Sequence, residues 1–174
     1  EDIDAHPATW CAVELALLDL FGRRRGLTLE TLLNLPAPAG RCRYTAVLGE
    51  TQDAIRVQQL KAYAAEGFDF FKVRLSGVLE RDRALVRTLQ AAAISPRRVR
   101  ASARQLWHSA REAVFYLRQL AYPFAALEEP ASIGAVHEMA EIGRALGCTI
   151  VVDESLTRLE HLHALPGGTR FIAN

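Results

Sequence analysis

Residues 124–155 decide the fold, and they read FAALEEPASIGAVHEMAEIGRALGCTIVVDES. The stretch opens and closes with short apolar runs, FAAL and TIVV. Each run stops at carboxylates: Glu128 and Glu129 after the first, Asp153 and Glu154 after the second. Strands that are buried on both faces read as continuous apolar runs of this kind. The stretch therefore predicts two parallel strands with acids at their carboxyl ends.

The residues between these two strands predict a helix. Apolar side chains recur there at three- and four-residue steps, which marks one helical face: Val136, Met139, Ile142 and Leu146. Ser132 is the predicted N-cap. Gly147 follows the pattern where a left-handed helix cap favours glycine, and Gly67 does the same after an earlier helical pattern.

The same strand–helix unit recurs roughly every 25 residues along most of the chain. Apolar, strand-like runs occupy residues 43–48, 68–75, 97–101, 124–127, 149–152 and 169–173. Strands that alternate with helices at this spacing predict βα units in a parallel sheet.

Polar residues at successive strand ends favour a barrel over an open doubly wound sheet. They are Lys72 and Arg74, then Ser102 and Arg104, then Glu128, then Asp153. In a (β/α) barrel such ends converge on one mouth, which holds the chemistry. An open sheet that binds nucleotides carries a glycine-rich phosphate loop, and no strand here is followed by one. We therefore predict an α/β fold, a partial TIM-type barrel of about six parallel strands with surrounding helices.

Two domains are predicted. Residues 1–40 form a helical lead-in, with a long helix from about residue 8, a turn around residues 22–26 and a short second helix. Residues 41–174 form the partial barrel.

Composition excludes several classes of function. Of the 174 residues, 50% are hydrophobic and 24% are charged, which indicates a globular chain. The net charge of +1 gives no reason to expect nucleic acid or a membrane surface as partner. No apolar run reaches the roughly 18 residues of a membrane span, and no signal peptide is visible. Cys11, Cys42 and Cys148 are interpreted as buried, reduced thiols of a cytoplasmic protein.

The motifs in order resemble the mandelate racemase/muconate lactonizing enzyme branch of the enolase superfamily. Residues 12–22 (AVELALLDLFG) look like the helix that leads into that family's barrel. Residues 72–74 (KVR) lie where the family has Lys-x-Lys, and residues 100–107 (RASARQLW) are similar to its Asp-Ala-Asn stretch. LEEP and VDES match its fourth and fifth strands.

The resemblance implies a magnesium-dependent epimerase or cycloisomerase of isomerase or lyase type. In that family a base removes the proton α to a carboxylate, and Mg²⁺ stabilises the enediolate. By motif position, Glu128 and Asp153 are metal ligands and Ser102 takes the first ligand position. Lys72 lies near the substrate carboxylate, and Arg74 takes the place of the acid/base lysine. The implied substrate is a small carboxylate such as a dipeptide, an N-acylamino acid or a muconate.

Several positions depart from the family pattern. Ser102 replaces a ligand aspartate, and a neutral hydroxyl is a weaker ligand for Mg²⁺ than a carboxylate. Arg104 stands where an asparagine is usual. Arg74 is a poor base because guanidinium stays protonated in proteins. The family's second catalytic lysine and most of its capping domain are expected to be missing from this chain.

Three hypotheses about function remain open. The chain is an active magnesium-dependent enzyme, a non-metal enzyme that uses Lys72, or a non-catalytic barrel fragment that binds a partner or self-associates. The departures favour a remnant of the family that is inactive by itself. Arg74 has a structural alternative, a salt bridge to Glu128 or Asp153. About six strands leave two open edges, which predicts a homo-oligomer.

Overall fold

The computed structural model describes residues 5–37, 40, 44–49 and 53–174. The chain divides into two compact units, residues 1–43 and residues 44–174.

The first unit is helical. Its long helix α1 (Pro7–Arg25) runs through Gly22 and ends at Gly26, whose φ of 64° is the left-handed cap. The second helix, α2 (Leu29–Leu32), begins after Thr28, whose hydroxyl accepts from the amide of Thr31. The predicted turn therefore falls at the end of residues 22–26, because only Gly26 leaves the right-handed helical conformation.

The second unit alternates strands and helices. In chain order its elements are β1 (Ala46–Leu48), α3 (Asp53–Ala65), β2 (Phe71–Arg74), α4 (Leu79–Ala91), β3 (Val99–Ser102), α5 (Ala110–Leu120), β4 (Ala126–Glu128), α6 (Val136–Leu146), β5 (Thr149–Val152), α7 (Glu160–His163) and β6 (Phe171–Ala173).

The six strands form one parallel sheet in sequence order, β1 to β6. The prediction of a partial barrel with alternating helices is confirmed. The strands are shorter than the apolar runs suggested. At β3, for example, Pro96–Arg98 forms a 3-10 turn, so the strand begins at Val99 rather than at residue 97.

The strand register gives the sheet two distinct faces. Side chains alternate between the faces along each strand. One face, which we call the inner face, carries Lys72, Arg100 and Glu128, and its edges carry Val47 on β1 and Ile172 on β6. Val47 and Ile172 are 46% and 42% exposed. No other strand of the described residues pairs with the free edge of β1 or of β6.

The opposite, outer face is apolar and carries the core. Its buried strand residues include Val73, Val99, Ala101, Leu127, Ile150 and Val152. The helices contribute Leu89, Met139 and Ile142, all of them fully buried. Burying one such aliphatic side chain contributes about 1.5–3 kcal/mol, so this face supplies most of the hydrophobic stabilisation.

Helix α6 packs closely on the sheet because Gly143 has no side chain. A Cβ at that position would lie 2.7 Å from Thr169 Cγ2 and 3.0 Å from Ile150 Cγ1. The helix ends at Gly147 in the left-handed conformation, as predicted. The predicted cap at Ser132 is wrong. The helix begins only at Val136, because a turn that contains Gly134 at φ 78° intervenes.

The cysteines differ from the predicted buried set. Cys11 is exposed on α1, whereas Cys148 is partly buried, and both thiols are free. Cys42 lies outside the described residues. Among the helices that the structure describes, none combines the length and the apolar character needed to cross a bilayer.

Candidate functional site

The carboxyl ends of the strands bring the predicted residues to one rim of the inner face. Register pairs Arg74 with Ser102 and Ser102 with Glu128, so these three positions form a row across β2, β3 and β4. Lys72 and Arg100 are paired with each other two residues earlier on β2 and β3. Residues two apart on a strand share a face, so all five side chains belong to the inner face.

Lys72 and Glu128 form the central contact of this rim. The ammonium Nζ of Lys72 donates to Oε1 of Glu128 at 2.5 Å. The side chains are only 17% and 5% exposed, so the pair is largely removed from water. A carboxylate in such a place is stable as an ion only when a partner compensates its charge.

Two residues of β3 complete the surroundings of Glu128. The hydroxyl of Ser102 lies 3.1 Å from Oε1 of Glu128. The Nε atom of Arg100 lies 3.3 Å from the other oxygen, Oε2. These last two atoms are buried and make no hydrogen bond with the described residues. The Arg100 contact is therefore an ion pair by distance and charge, without hydrogen-bond alignment.

Asp153 is connected to the same group through Asn174. The Nδ2 atom of Asn174 donates to Oδ2 of Asp153 at 2.7 Å. At the other end of the amide, Nη1 of Arg100 donates to Oδ1 of Asn174 at 3.2 Å. A single series of contacts thus joins Lys72, Glu128, Arg100, Asn174 and Asp153, and we call these five residues the rim network.

The structural alternative for Arg74, a salt bridge to Glu128 or Asp153, is wrong. Arg74 lies at the exposed end of β2 and makes no ion pair with another described residue. Glu128 is paired with Lys72 and Arg100 instead, because both approach it across the inner face. Arg104 is exposed in the turn after β3, with φ 47°.

Glu129 points away from the rim and fixes the loop that carries Asp153. Its side chain is 1% exposed, and its φ is 42°. Oε1 accepts from the amides of Asp153 at 2.7 Å and Ser155 at 2.9 Å, and Oε2 accepts from the Ser155 hydroxyl at 2.8 Å. These three bonds satisfy the buried carboxylate and set where Asp153 stands.

A second buried acid fixes the loop after β2. Asp82 on α4 accepts from the amides of Ser76 and Gly77 and from the hydroxyls of Ser76 and Tyr116. Burial, and then the neighbouring Asp82 carboxylate, hold the pKa of Tyr116 well above its usual range, so the phenol stays a proton donor. The ring of Tyr116 also contacts that of Trp107, with centroids 5.4 Å apart.

The side chains of the rim do not fit a magnesium ion. Mg²⁺ requires several oxygen ligands at octahedral geometry and favours carboxylates. Here Glu128 already interacts with an ammonium, a guanidinium and a hydroxyl, and Asp153 accepts from an amide. Within the residues that the structure describes, no group of three or more acidic, histidine or cysteine side chains is arranged to hold a metal ion.

Sequence reasoning missed Arg100, Glu129 and Asn174 as members of the site. Arg100 had a usable signal, because it lies two residues before Ser102 and must share its face. Asn174 directly follows β6, so it also lies at a strand end. Glu129 also follows a strand end, but the sequence gives no sign that its partners belong to the loop after β5.

A parallel sheet with flanking helices, and with a lysine and acids at its carboxyl rim, defines the class of protein as a (β/α) barrel of the kind that places its site there. The family follows from comparison with known proteins. The model of the enolase C-terminal domain-like family matches residues 55–166, which is more than half of the chain. The chain belongs to this mandelate racemase/muconate lactonizing enzyme family.

The chain is also similar to a characterised relative. It is 26% identical over 150 residues to the hydrophobic dipeptide epimerase of Enterococcus faecalis, covering 86% of this chain and 42% of the relative. The chain therefore spans less than half of that relative's length.

Crystal structures of the Enterococcus faecalis dipeptide epimerase share the fold. One matches with a TM-score of 0.75 at 25% identity, over 90% of this chain and 45% of the other. A second, complexed with Mg and the dipeptide L-Leu-L-Tyr, matches with a TM-score of 0.65 at 25% identity, over 79% of this chain and 38% of the other.

Proposed function

We propose that the chain is a segment of a dipeptide-epimerase type of barrel that does not racemise a substrate by itself. The family and the similarity to the Enterococcus faecalis epimerase support the origin. One arrangement carries the proposal: Lys72, Glu128 and Asp153 stand on the rim where such chemistry belongs, but Glu128 is already compensated by two cations of the chain.

The chemistry of proton removal supports the same conclusion. An α-proton is a weak acid, so its removal requires a base and fixed positive charge for the anion that forms. Arg74 takes the base position by resemblance, and a guanidinium stays protonated in proteins, so it cannot accept the proton. Lys72 is the other candidate base, and its ammonium is occupied by Glu128 at 2.5 Å.

The proposal is tested by hydrogen exchange at the substrate. L-Leu-L-Tyr is incubated with the full chain and millimolar MgCl₂ in D₂O, and loss of the Cα proton signals is followed by NMR. The Enterococcus faecalis epimerase serves as the positive control. We expect the Cα protons of the dipeptide to exchange no faster with the chain than in buffer alone. Exchange that saturates with dipeptide would contradict the proposal, whether it requires Mg²⁺ or uses Lys72 without it.

A second candidate function is self-association, and the uncovered edges of the sheet favour it. Parallel sheets are normally covered on both faces, and free strand edges pair readily with another chain. Val47 and Ile172 are exposed at the two edges of the inner face. We propose that a second copy of the chain covers this region.

Sedimentation velocity at micromolar concentration tests this second proposal. Val47→Lys and Ile172→Lys add charge at the edges and are expected to shift the protein toward monomer. Val57→Lys on α3 is the matched control, since Val57 is 40% exposed and lies on a helix rather than on an edge strand. A wild-type chain that sediments as monomer throughout, or a control variant that dissociates equally, would contradict it.

A further inference from the structure

The rim network crosses the inner face without interruption. It begins at Lys72 on β2, passes through Glu128 on β4 and Arg100 on β3, and reaches Asp153 after β5 through Asn174 after β6. Its contacts, including the Ser102 hydroxyl, are between 2.5 and 3.3 Å. Five successive strands are thereby tied together at one end of the sheet.

The charges of the network balance. Lys72 and Arg100 contribute two positive charges, and Glu128 and Asp153 contribute two negative charges. The two cations approach different oxygens of Glu128. The carboxylates of Glu128 and Asp153 are therefore compensated by groups that the chain itself supplies.

Asn174 connects Arg100 to Asp153 through two hydrogen bonds. Its amide oxygen faces the guanidinium, and its amide nitrogen faces the carboxylate. A side-chain amide accepts through its oxygen and donates through its nitrogen, so the opposite orientation would place donor against donor and acceptor against acceptor. The observed orientation brings a positive dipole end to Asp153.

We infer that Lys72 and Arg100, connected by Asn174, take the structural place of a divalent cation between Glu128 and Asp153. The inference rests on the proposed function, in which this rim no longer works as a magnesium site. A divalent cation would join acids from neighbouring strands by sharing them as ligands. The rim network joins the same acids with internal cations and an amide, so an added ion would gain little binding free energy there.

Arg100 is the central member because a guanidinium offers donors in several directions at once. One edge faces Glu128, and another reaches Asn174. The chain also carries the neutral Ser102 beside Glu128, at the position where the resemblance implies a ligand aspartate. Ser102 thereby removes a negative charge from the rim, next to the positive charge that Arg100 contributes.

The inference is tested by unfolding the full chain in millimolar MgCl₂ and in EDTA. A ligand that binds only the folded state raises the unfolding midpoint. We expect no shift for the wild-type chain. The double variant Ser102→Asp/Arg100→Gln replaces the internal cation with a third carboxylate, and its midpoint is expected to rise with Mg²⁺. Far-ultraviolet circular dichroism verifies that the variant is folded.

Arg98→Gln combined with Ser102→Asp is the matched control. Arg98 is a neighbouring arginine that pairs with Asp69 at the surface rather than with Glu128. The control variant keeps Arg100 in place. Its unfolding midpoint should therefore rise less with Mg²⁺ than that of Ser102→Asp/Arg100→Gln. An equal response in the two variants would contradict the central role of Arg100.

Two outcomes would overturn the inference. One is a wild-type midpoint that rises with Mg²⁺ and loses this rise in Glu128→Gln. The other is a folded Ser102→Asp/Arg100→Gln variant that does not respond to Mg²⁺. Exchange of the dipeptide Cα proton is a separate readout. Exchange without Mg²⁺ dependence contradicts the proposed function alone, whereas Mg²⁺ stabilisation without exchange contradicts this inference alone.

Discussion

The two faces of the parallel sheet are held by different interactions. The outer face packs aliphatic side chains such as Val73 and Ile150 under the helices, and these are fully buried. The inner face is held by the rim network, whose members lie far apart in sequence. Glu128 and Glu129 show the contrast within one step of the chain, because Glu128 meets cations on the inner face whereas Glu129 meets backbone amides on the outer side. Apolar packing builds the scaffold, and polar contacts determine what its rim does.

The largest expected effect on the free energy of unfolding comes from creating a cavity on the outer face. Ile150→Ala removes a fully buried side chain between β5 and α6 and should lower the free energy of unfolding by about 2–5 kcal/mol. Ile172→Ala, on an exposed position of the inner face, should cost less than about 1 kcal/mol. Urea unfolding of the two variants measures both, and equal losses would remove the distinction between the faces.

The next effect concerns the buried carboxylate of Glu129. Glu129→Gln weakens three hydrogen bonds to a charged acceptor and should cost about 2–3 kcal/mol. Hydrogen exchange should accelerate at the amides of Asp153 and Ser155, because the oxygen that accepts from them loses its negative charge. Glu154→Gln is the matched control, because Glu154 is the exposed acid of the same loop. A variant of Glu129 as stable as the control would show that the loop is positioned by something else.

A smaller loss is expected from filling the space at Gly143. Gly143→Ala brings a methyl group against Thr169 and Ile150 and should destabilise the fold by about 1–3 kcal/mol, although alanine favours helix. Gly167→Ala has no neighbouring atom within 4 Å and should change the free energy of unfolding little. Thermal unfolding compares them. A stabilising Gly143→Ala would mean that α6 can move away from the sheet without cost.

The smallest effect is a pH dependence from Cys148. Burial raises the pKa of this thiol to about 11 from a usual value of 9.0. The folded state then holds the proton more tightly than the unfolded state, so its stability falls as the pH rises from about 9 toward 11.

The variant Cys148→Ala isolates the contribution of this thiol to the pH dependence of the free energy of unfolding. Wild type should lose about 1–2 kcal/mol more than the variant over that pH range. The subtraction is needed because burial also raises the pKa of Tyr122, to about 12. Parallel pH profiles for the two proteins would contradict the assignment to Cys148.

The scaffold could be predicted from the sequence because its causes are local. The apolar runs and the helical spacing of Met139 and Ile142 determined the order of strands and helices, and both residues are in the core. Element ends were less predictable. The cap expected at Ser132 failed because a glycine turn delays the start of α6.

The site could be predicted only in part. The positions of the strand ends predicted Lys72, Glu128 and Asp153 at one rim. Their partners, however, depend on the register and the curvature of the sheet. Lys72 and Glu128 are 56 residues apart, and Arg100 and Asn174 are 74 apart. No periodicity along the chain encodes such pairs. The expectation that Arg74 would neutralise an acid failed for this reason, since Arg100 reaches Glu128 from the neighbouring strand.

A double-mutant cycle on Lys72→Met and Glu128→Gln tests most directly the claim that internal charges hold the rim. Lys72→Met leaves the buried Glu128 with Arg100 as its one cation, and Glu128→Gln leaves Lys72 without its carboxylate. Each single change should cost about 3 kcal/mol, whereas the double variant should cost clearly less than the sum. We predict a coupling of about 2 kcal/mol between the two positions, measured by urea unfolding in EDTA. Additive losses within about 0.5 kcal/mol would contradict the account.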